Sequence, residues 1–328
     1  MKALKKIIAV LIIICSFTCV TLHTTSAQVN VSFQLFYDDL SPYGQWVDYA
    51  NAGYVWIPNA GPGFSPYATG GHWVYTEFGW TWVSDYSWGW APFHYGRWNY
   101  EPSYGWMWLP DNVWGPAWVS WKRSPGYYGW APLGHGRDYD NDNDRWTFVK
   151  NNDIDRDDIN RHYIDRSQNS TIIKNSTQIN NMHDDHSRGA TYVAGPDRDE
   201  VQKNTGRTVK PMVIQDNDRP GQSMSNGQLK IYRPQVQKEN SNGQKPIPAK
   251  VTNLHDVKPA SERTGNGEQK STNNNGDREQ PQQIQKMEPS GNREPDKSPA
   301  VDQKKNNRNP PATRQNEAHP RKSKRQPK

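Results

Sequence analysis

Tryptophan and tyrosine recur through the first 133 residues at a density that could grip sugars, because a flat apolar ring stacks on the C–H face of a pyranose. A large exposed aromatic patch marks a binding surface. Trp88, Trp90, Trp106, Trp108 and Trp114 are the candidate platform, with Asp85, Arg97 and Asp111 as the polar partners nearest in sequence. The bland reading is that the same rings are simply the core of a small β-repeat, since sequence does not fix which side each one faces. A third chemistry is glycan hydrolysis by a pair among Asp85, Glu101 and Asp111. That chemistry depends on the distance between carboxyl groups and not on their spacing along the chain.

Other chemistry-bearing residues point elsewhere. Asp138–Asp144 alternates oxygen ligands as a calcium loop does. Its sixth position is Asn143 where glycine is needed, and its twelfth is Val149 where a bidentate glutamate is needed. It reads as a solvated acidic linker. His183 and His186 are three apart and would share the face of a helix, but their Asn-rich flanks predict an exposed loop. His72, His94 and His135 sit beside glycine or aromatic residues and read as packed or edge histidines. There is no serine elbow. The only cysteines, Cys15 and Cys19, lie in the N-terminal apolar run, so a processed chain has no thiol for catalysis, metal or disulfide. No cofactor and no metal is expected, and the chain reads as a non-enzyme.

The rings lie in a repeat. Trp46 and Trp56 are ten apart, Trp73 and Trp82 nine, Trp98 and Trp108 ten, Trp121 and Trp130 nine. Three of the four units open with Gly-x-Trp, at Gly44, Gly71 and Gly96. Aromatic residues favour pleated surfaces, and i, i+2 spacing puts Trp80 with Trp82, and Trp106 with Trp108, on one face of a strand. Turn residues cluster between the runs at Ala50–Gly53, Glu101–Ser103 and Ser124–Gly126. The pattern predicts a string of β-hairpins. One hairpin is marginal in water, whereas several stacked together bury a shared aromatic layer.

The runs Gly71–Thr76 (GHWVYT), Gly79–Trp98 (GWTWVSDYSWGWAPFHYGRW), Val113–Trp121 (VWGPAWVSW) and Gly129–Leu133 (GWAPL) resemble the Trp-rich exported proteins of Gram-negative bacteria, common in Bacteroidota, that carry an uncharacterised domain. The resemblance covers about Leu35 to Leu133 strongly and reaches weakly to Ser170–Asn175. It implies an envelope or secreted location and a β-rich fold. It carries no reaction, ligand or functional residue.

Composition divides the chain. At 33% hydrophobic residues and a mean hydropathy of −1.06, the 328 residues are too polar for one compact domain. Lys2, Lys5 and Lys6, the apolar run Ile7–Cys15 and Thr25-Ser26-Ala27 form a signal peptide, residues 1–27, cut before Gln28. Residues 28–135 form the aromatic hairpin domain. Residues 136–235 form a polar, Asp/Asn-rich β extension, loosely packed or wound along the first domain. Its strand-like runs are 146–149, 171–173, 190–193, 209–214 and 229–232.

Residues 236–328 have no periodicity and read as a disordered basic tail. The body, 28–235, carries 18 Lys/Arg against 23 Asp/Glu, while 236–328 carries 19 against 11, so the basicity of the chain belongs to its tail. In an exported protein such a tail meets anionic envelope polymers and not nucleic acid. No segment after signal cleavage is apolar enough to span a membrane.

The expected fold is therefore all-β, antiparallel hairpin repeats with an aromatic core. The expected location is exported: periplasmic, outer-membrane-associated or secreted. The expected role is a non-catalytic module that binds glycan or peptidoglycan through exposed rings. The alternatives are a structural envelope protein with buried rings, and the hydrolase.

Overall fold

The computed structural model describes residues 30–49, 52–136, 139 and 142–263. The signal peptide, most of the run 137–141 and the chain from 264 onward lie outside the described residues. Among them the fold is all-β and mostly antiparallel, with three short helices. After β1 (Asn30–Ser32) and α1 (Gln34–Leu40) come four hairpins: β2 (Gly44–Tyr49) with β3 (Gly53–Pro58), β4 (Gly71–Thr76) with β5 (Gly79–Ser84), β6 (Arg97–Glu101) with β7 (Gly105–Leu109), and β8 (Val119–Ser124) with β9 (Tyr127–Pro132).

The register explains the repeat. In every hairpin the two signature tryptophans face each other across the strands: Trp46 with Trp56, Trp73 with Trp82, Trp98 with Trp108, Trp121 with Trp130. Hairpins one and three close through three residues, between Tyr49 and Gly53 and between Glu101 and Gly105. Hairpins two and four close through two, between Thr76 and Gly79 and between Ser124 and Tyr127. One extra loop residue is the whole difference between a spacing of ten and a spacing of nine. A left-handed glycine sits in each turn, at Gly53, Gly79, Gly105 and Gly126 (φ +73 to +91°), where a side chain would be strained.

The leading glycine of Gly-x-Trp has a different duty. A Cβ on Gly44 would lie 2.5 Å from Trp56 Nε1, one on Gly71 2.7 Å from the Trp82 ring, and one on Gly96 2.8 Å from Trp108 Nε1. Each glycine leaves room for the indole that reaches diagonally across from the second strand of its own hairpin.

The hairpins do not stack in chain order. Trp56 pairs with Trp108, which joins hairpins one and three into a sheet of order β2-β3-β7-β6. Hairpins two and four meet through their rings, Trp73 lying 4.7 Å from Trp121 and 5.4 Å from Trp130. β5 is buried along its whole length, with Trp80 and Trp82 on one face and Thr81 and Val83 on the other.

The chain beyond residue 142 winds over this unit. β10 (Thr147–Lys150) extends the fourth hairpin beside β9, and β11 (Thr177–Gln178) caps β8. β12 (Met182–Asp185) and β13 (Ala190–Val193) form a hairpin. β14 (Val213–Asp216), β15 (Gln222–Ser225) and β16 (Gln228–Ile231) form a small sheet of order β14-β16-β15. The expected strand at 171–173 is instead helix α2 (Asn169–Lys174). One helical turn buries Ile172 and points the Asn169 amide at Asn143 O and Trp146 O, so burial overrides the β preference of Thr-Ile-Ile. Helix α3 (Arg198–Thr205) starts under Asp197, which accepts from the amides of Asp199 and Glu200, and stops at left-handed Gly206.

The start of the expected tail is corrected. Residues 236–263 are placed, because Val236 is buried in β17 (Gln235–Gln237), which pairs in parallel with β1. Thr252 N then bonds Trp46 O, and the Arg263 guanidinium reaches Pro58 O and Tyr104 O.

Gly71→Ala is expected to cost about 1–3 kcal/mol through overpacking against Trp82. Gly126→Asn, at a left-handed turn with open space around it, is expected to cost little. Thermal unfolding of the two variants checks the order.

Candidate functional site

All fifteen tryptophans are buried, none more than 5% exposed, and every described aromatic ring is buried or half-buried. The expected platform of Trp88, Trp90, Trp106, Trp108 and Trp114 is therefore not a surface. Trp88 is stacked between Tyr86 (4.5 Å) and Phe93 (5.7 Å). Trp90 donates from Nε1 to Asp39 Oδ2 at 2.9 Å. Trp106 meets Tyr100 and Tyr139 edge-on, and Trp108 donates to Tyr95 O. Rings this apolar leave water whenever enough of them can meet. The rings form the main core of the four hairpins, and a smaller cluster of Val47, Val55, Ile57 and Met107 packs on hairpins one and three.

The polar partners are drawn into the scaffold as well. The Arg97 guanidinium lies 3.6 Å above the Trp118 ring, and its Nη1 donates to Gly96 O. Burial lowers its pKa, and Asp111 works against that shift. Asp111 caps the Asn112 amide and lies 3.5 Å from Lys238 Nζ. Asp85 stands apart from these two, beside buried His72. Burial raises the Asp85 pKa and lowers that of His72. Glu101 closes a hairpin turn opposite Gly105. The three carboxylates considered for hydrolysis thus have three different settings.

His183 is in β12, not on a helix, and stacks on Tyr192 at 5.2 Å, while His186 is exposed. Among the described residues no trio of His, Cys, Asp or Glu is placed to hold a metal.

The structure assembles one polar centre that sequence reading missed, around Trp114. The His94 imidazole stacks on one indole face, 5.6 Å away and 10° from parallel. The guanidiniums of Arg233 and Arg188 lie 4.9 and 5.5 Å from the same ring. Arg233 is only 9% exposed. Its Nε donates to Asp216 Oδ1 at 2.7 Å, and Arg188 Nη1 donates to the Arg233 carbonyl at 3.2 Å. Asp185 and the Tyr192 hydroxyl are buried alongside, and Tyr192 feels both Asp185 and Arg233.

These residues come from positions 94, 114, 185–192, 216 and 233, and no local motif links them. The arrangement binds the β12–β13 turn and the β14–β16 sheet to the indole of the module. Buried cations on a ring are worth about 2 kcal/mol when desolvated. A concavity of about 850 Å³ lies elsewhere, between β1 and the chain after β17. Ser32, Asn112, Gln237, Lys238 and Asn240 line it, and it has no aromatic wall.

Comparison with known proteins agrees with this division. Residues 37–137 match a family of unknown function, DUF6600. The match spans the four hairpins and ends where the chain leaves β9 for its second part. No curated protein and no solved structure matches the chain.

Burial holds the His94 imidazole at a pKa of about 4, against an ordinary 6.5. The unfolded chain takes up this proton near pH 6.5 and the folded chain only near 4. Stability is therefore full above pH 6.5, falls between 6.5 and 4, and is level below as far as His94 is concerned. The loss is roughly 3 kcal/mol. Urea unfolding across that range is expected to show it. His94→Gln, which binds no proton, is expected to flatten the slope.

Proposed function

We propose that this protein is a non-catalytic structural component of the cell envelope, exported by its N-terminal signal and carrying a basic tether. The observation that carries this reading is the burial of all fifteen tryptophans. Glycan recognition by ring stacking has no exposed indole to use. The three carboxylates considered for hydrolysis have separate settings: Asp85 near His72, Glu101 at a hairpin turn, and Asp111 beside Lys238.

The location rests on the sequence of residues 1–27: a basic start, an apolar run too short to span a bilayer and a small-residue cleavage site before Gln28. Among the described residues no helix is long and apolar enough to cross a membrane. The segment 264–328 carries 14 Lys/Arg against 8 Asp/Glu. In an envelope it meets lipopolysaccharide and other anionic polymers, where a cationic chain associates electrostatically and releases with salt. The chain enters this segment from Arg263, which is fastened to hairpins one and three.

Two measurements test the reading. Tryptophan emission of the full chain is expected to be blue, poorly quenched by acrylamide and unchanged by peptidoglycan fragments or soluble polysaccharides. A saturable shift with any of them would return the rings to a ligand surface. Full-length protein is expected to sediment with lipopolysaccharide at low salt and to be released by a few hundred millimolar salt, about the range in which the Debye length falls below 8 Å. A chain ending at residue 263 is expected to stay in solution throughout.

A further inference from the structure

We infer that the aromatic module, residues 37–137, is a receptor for an extended polypeptide, and that in this protein residues 142–263 fill that receptor from within the same chain. The contacts across this boundary are directed largely at main chain. Trp80 donates from its amide to Ala194 O (2.9 Å) and from Nε1 to Pro196 O (3.0 Å). The Tyr95 hydroxyl donates to Pro234 O at 2.7 Å. In the other direction, Ile179 N donates to Trp121 O, Met212 N to Tyr75 O, and Gln222 Nε2 to Ser84 O.

Strand edges are used in the same way. β10 and β11 add to the two sides of the fourth hairpin, and isolated bridges join Thr76 to Met212 and Val47 to Thr252. Pairing onto strand edges is how a folded domain takes up an extended chain.

The filling segment has little with which to fold alone. Trp146 is its only tryptophan. Its own sheets have two and three strands, at or near the limit of independent stability. Its apolar side chains at 0% exposure, Trp146, Phe148, Val149, Ile154 and Ile159 as well as Val201, Leu229 and Ile231, belong to the same cluster as the module's rings. The module supplies the core, and the segment supplies carbonyls and β-branched or aliphatic side chains to its rim. The Arg233 and Arg188 contacts on Trp114 fasten the same boundary.

The test uses the full chain with a protease site placed between Gly136 and Asp142. After cutting, light and isotope-labelled nicked samples are mixed below the denaturant concentration that unfolds them. Native mass spectrometry then reads the module of one sample paired with the segment of the other. The expected result is that the pieces co-elute with unchanged tryptophan emission, that mixed pairs appear, and that Trp80→Phe and Tyr95→Phe each speed the exchange roughly five- to tenfold, the loss of one hydrogen bond. Emission that shifts on cutting would overturn the inference. So would the absence of mixed pairs in the Trp80→Phe/Tyr95→Phe double variant short of unfolding, since both outcomes describe one indivisible core.

Discussion

A buried indole is an apolar plate with one N–H that needs an acceptor, and the fold depends on meeting that need many times over. Nine of the fifteen tryptophans donate from Nε1 inside the protein, eight to main-chain carbonyls and Trp90 to Asp39. The acceptors lie outside the strands, where carbonyls are free. Trp46 and Trp56 bond Tyr37 O and Leu40 O, carbonyls of the last turn of α1 that have no partner within the helix. Trp98, Trp108 and Trp118 bond the Pro92, Tyr95 and His94 carbonyls of one irregular stretch.

Trp130 bonds Tyr67 O, and Tyr67 is held at φ +57° with its hydroxyl between Phe93 O and the Trp118 amide. A left-handed tyrosine costs energy that only such over-determination sustains. The loops between hairpins are therefore fixed by the rings as firmly as the strands are.

Once the core consists of rings, the sheets stay small and their edges multiply. An open edge invites pairing with other chains. Here the second part of the chain covers the edges: β10 and β11 on the fourth hairpin, Met212 beside β4, Thr252 beside β2, and the Ala194 carbonyl on the Trp80 amide of β5. The polar centre at Trp114 belongs to the same arrangement. Arg233, costly to bury alone, pairs with Asp216, and it lies with Arg188 on one indole at the place where the two parts meet.

With no cysteine after residue 19, cohesion comes from ring burial and main-chain hydrogen bonds and needs no redox chemistry. Among the described residues no aromatic ring is exposed, and the large apolar side chains that face solvent are Met182, Val213, Met224, Ile247 and Val251. The segment after 263 is basic while residues 28–235 are acidic, so the two carry opposite net charge.

The sequence by itself determined the hairpins. Ten- and nine-residue spacings of tryptophan are cross-strand pairing with loops of three and two residues, and the turn glycines sit where local backbone geometry requires them. The burial of Trp88, Trp90, Trp106, Trp108 and Trp114 was not legible: Trp106 and Trp108 share one face of β7, which sequence cannot assign to core or solvent, and Trp88, Trp90 and Trp114 lie outside the strands, where no alternation exists to read. The order in which hairpins pair, one with three and two against four, was decided by contacts between residues some fifty positions apart, such as Trp56 and Trp108. The ordering of 236–263 and the helix at 169–174 arose the same way. Those stretches are too polar or too short to declare a structure, and they take one only because the module offers carbonyls, edges and an aromatic wall to fold against.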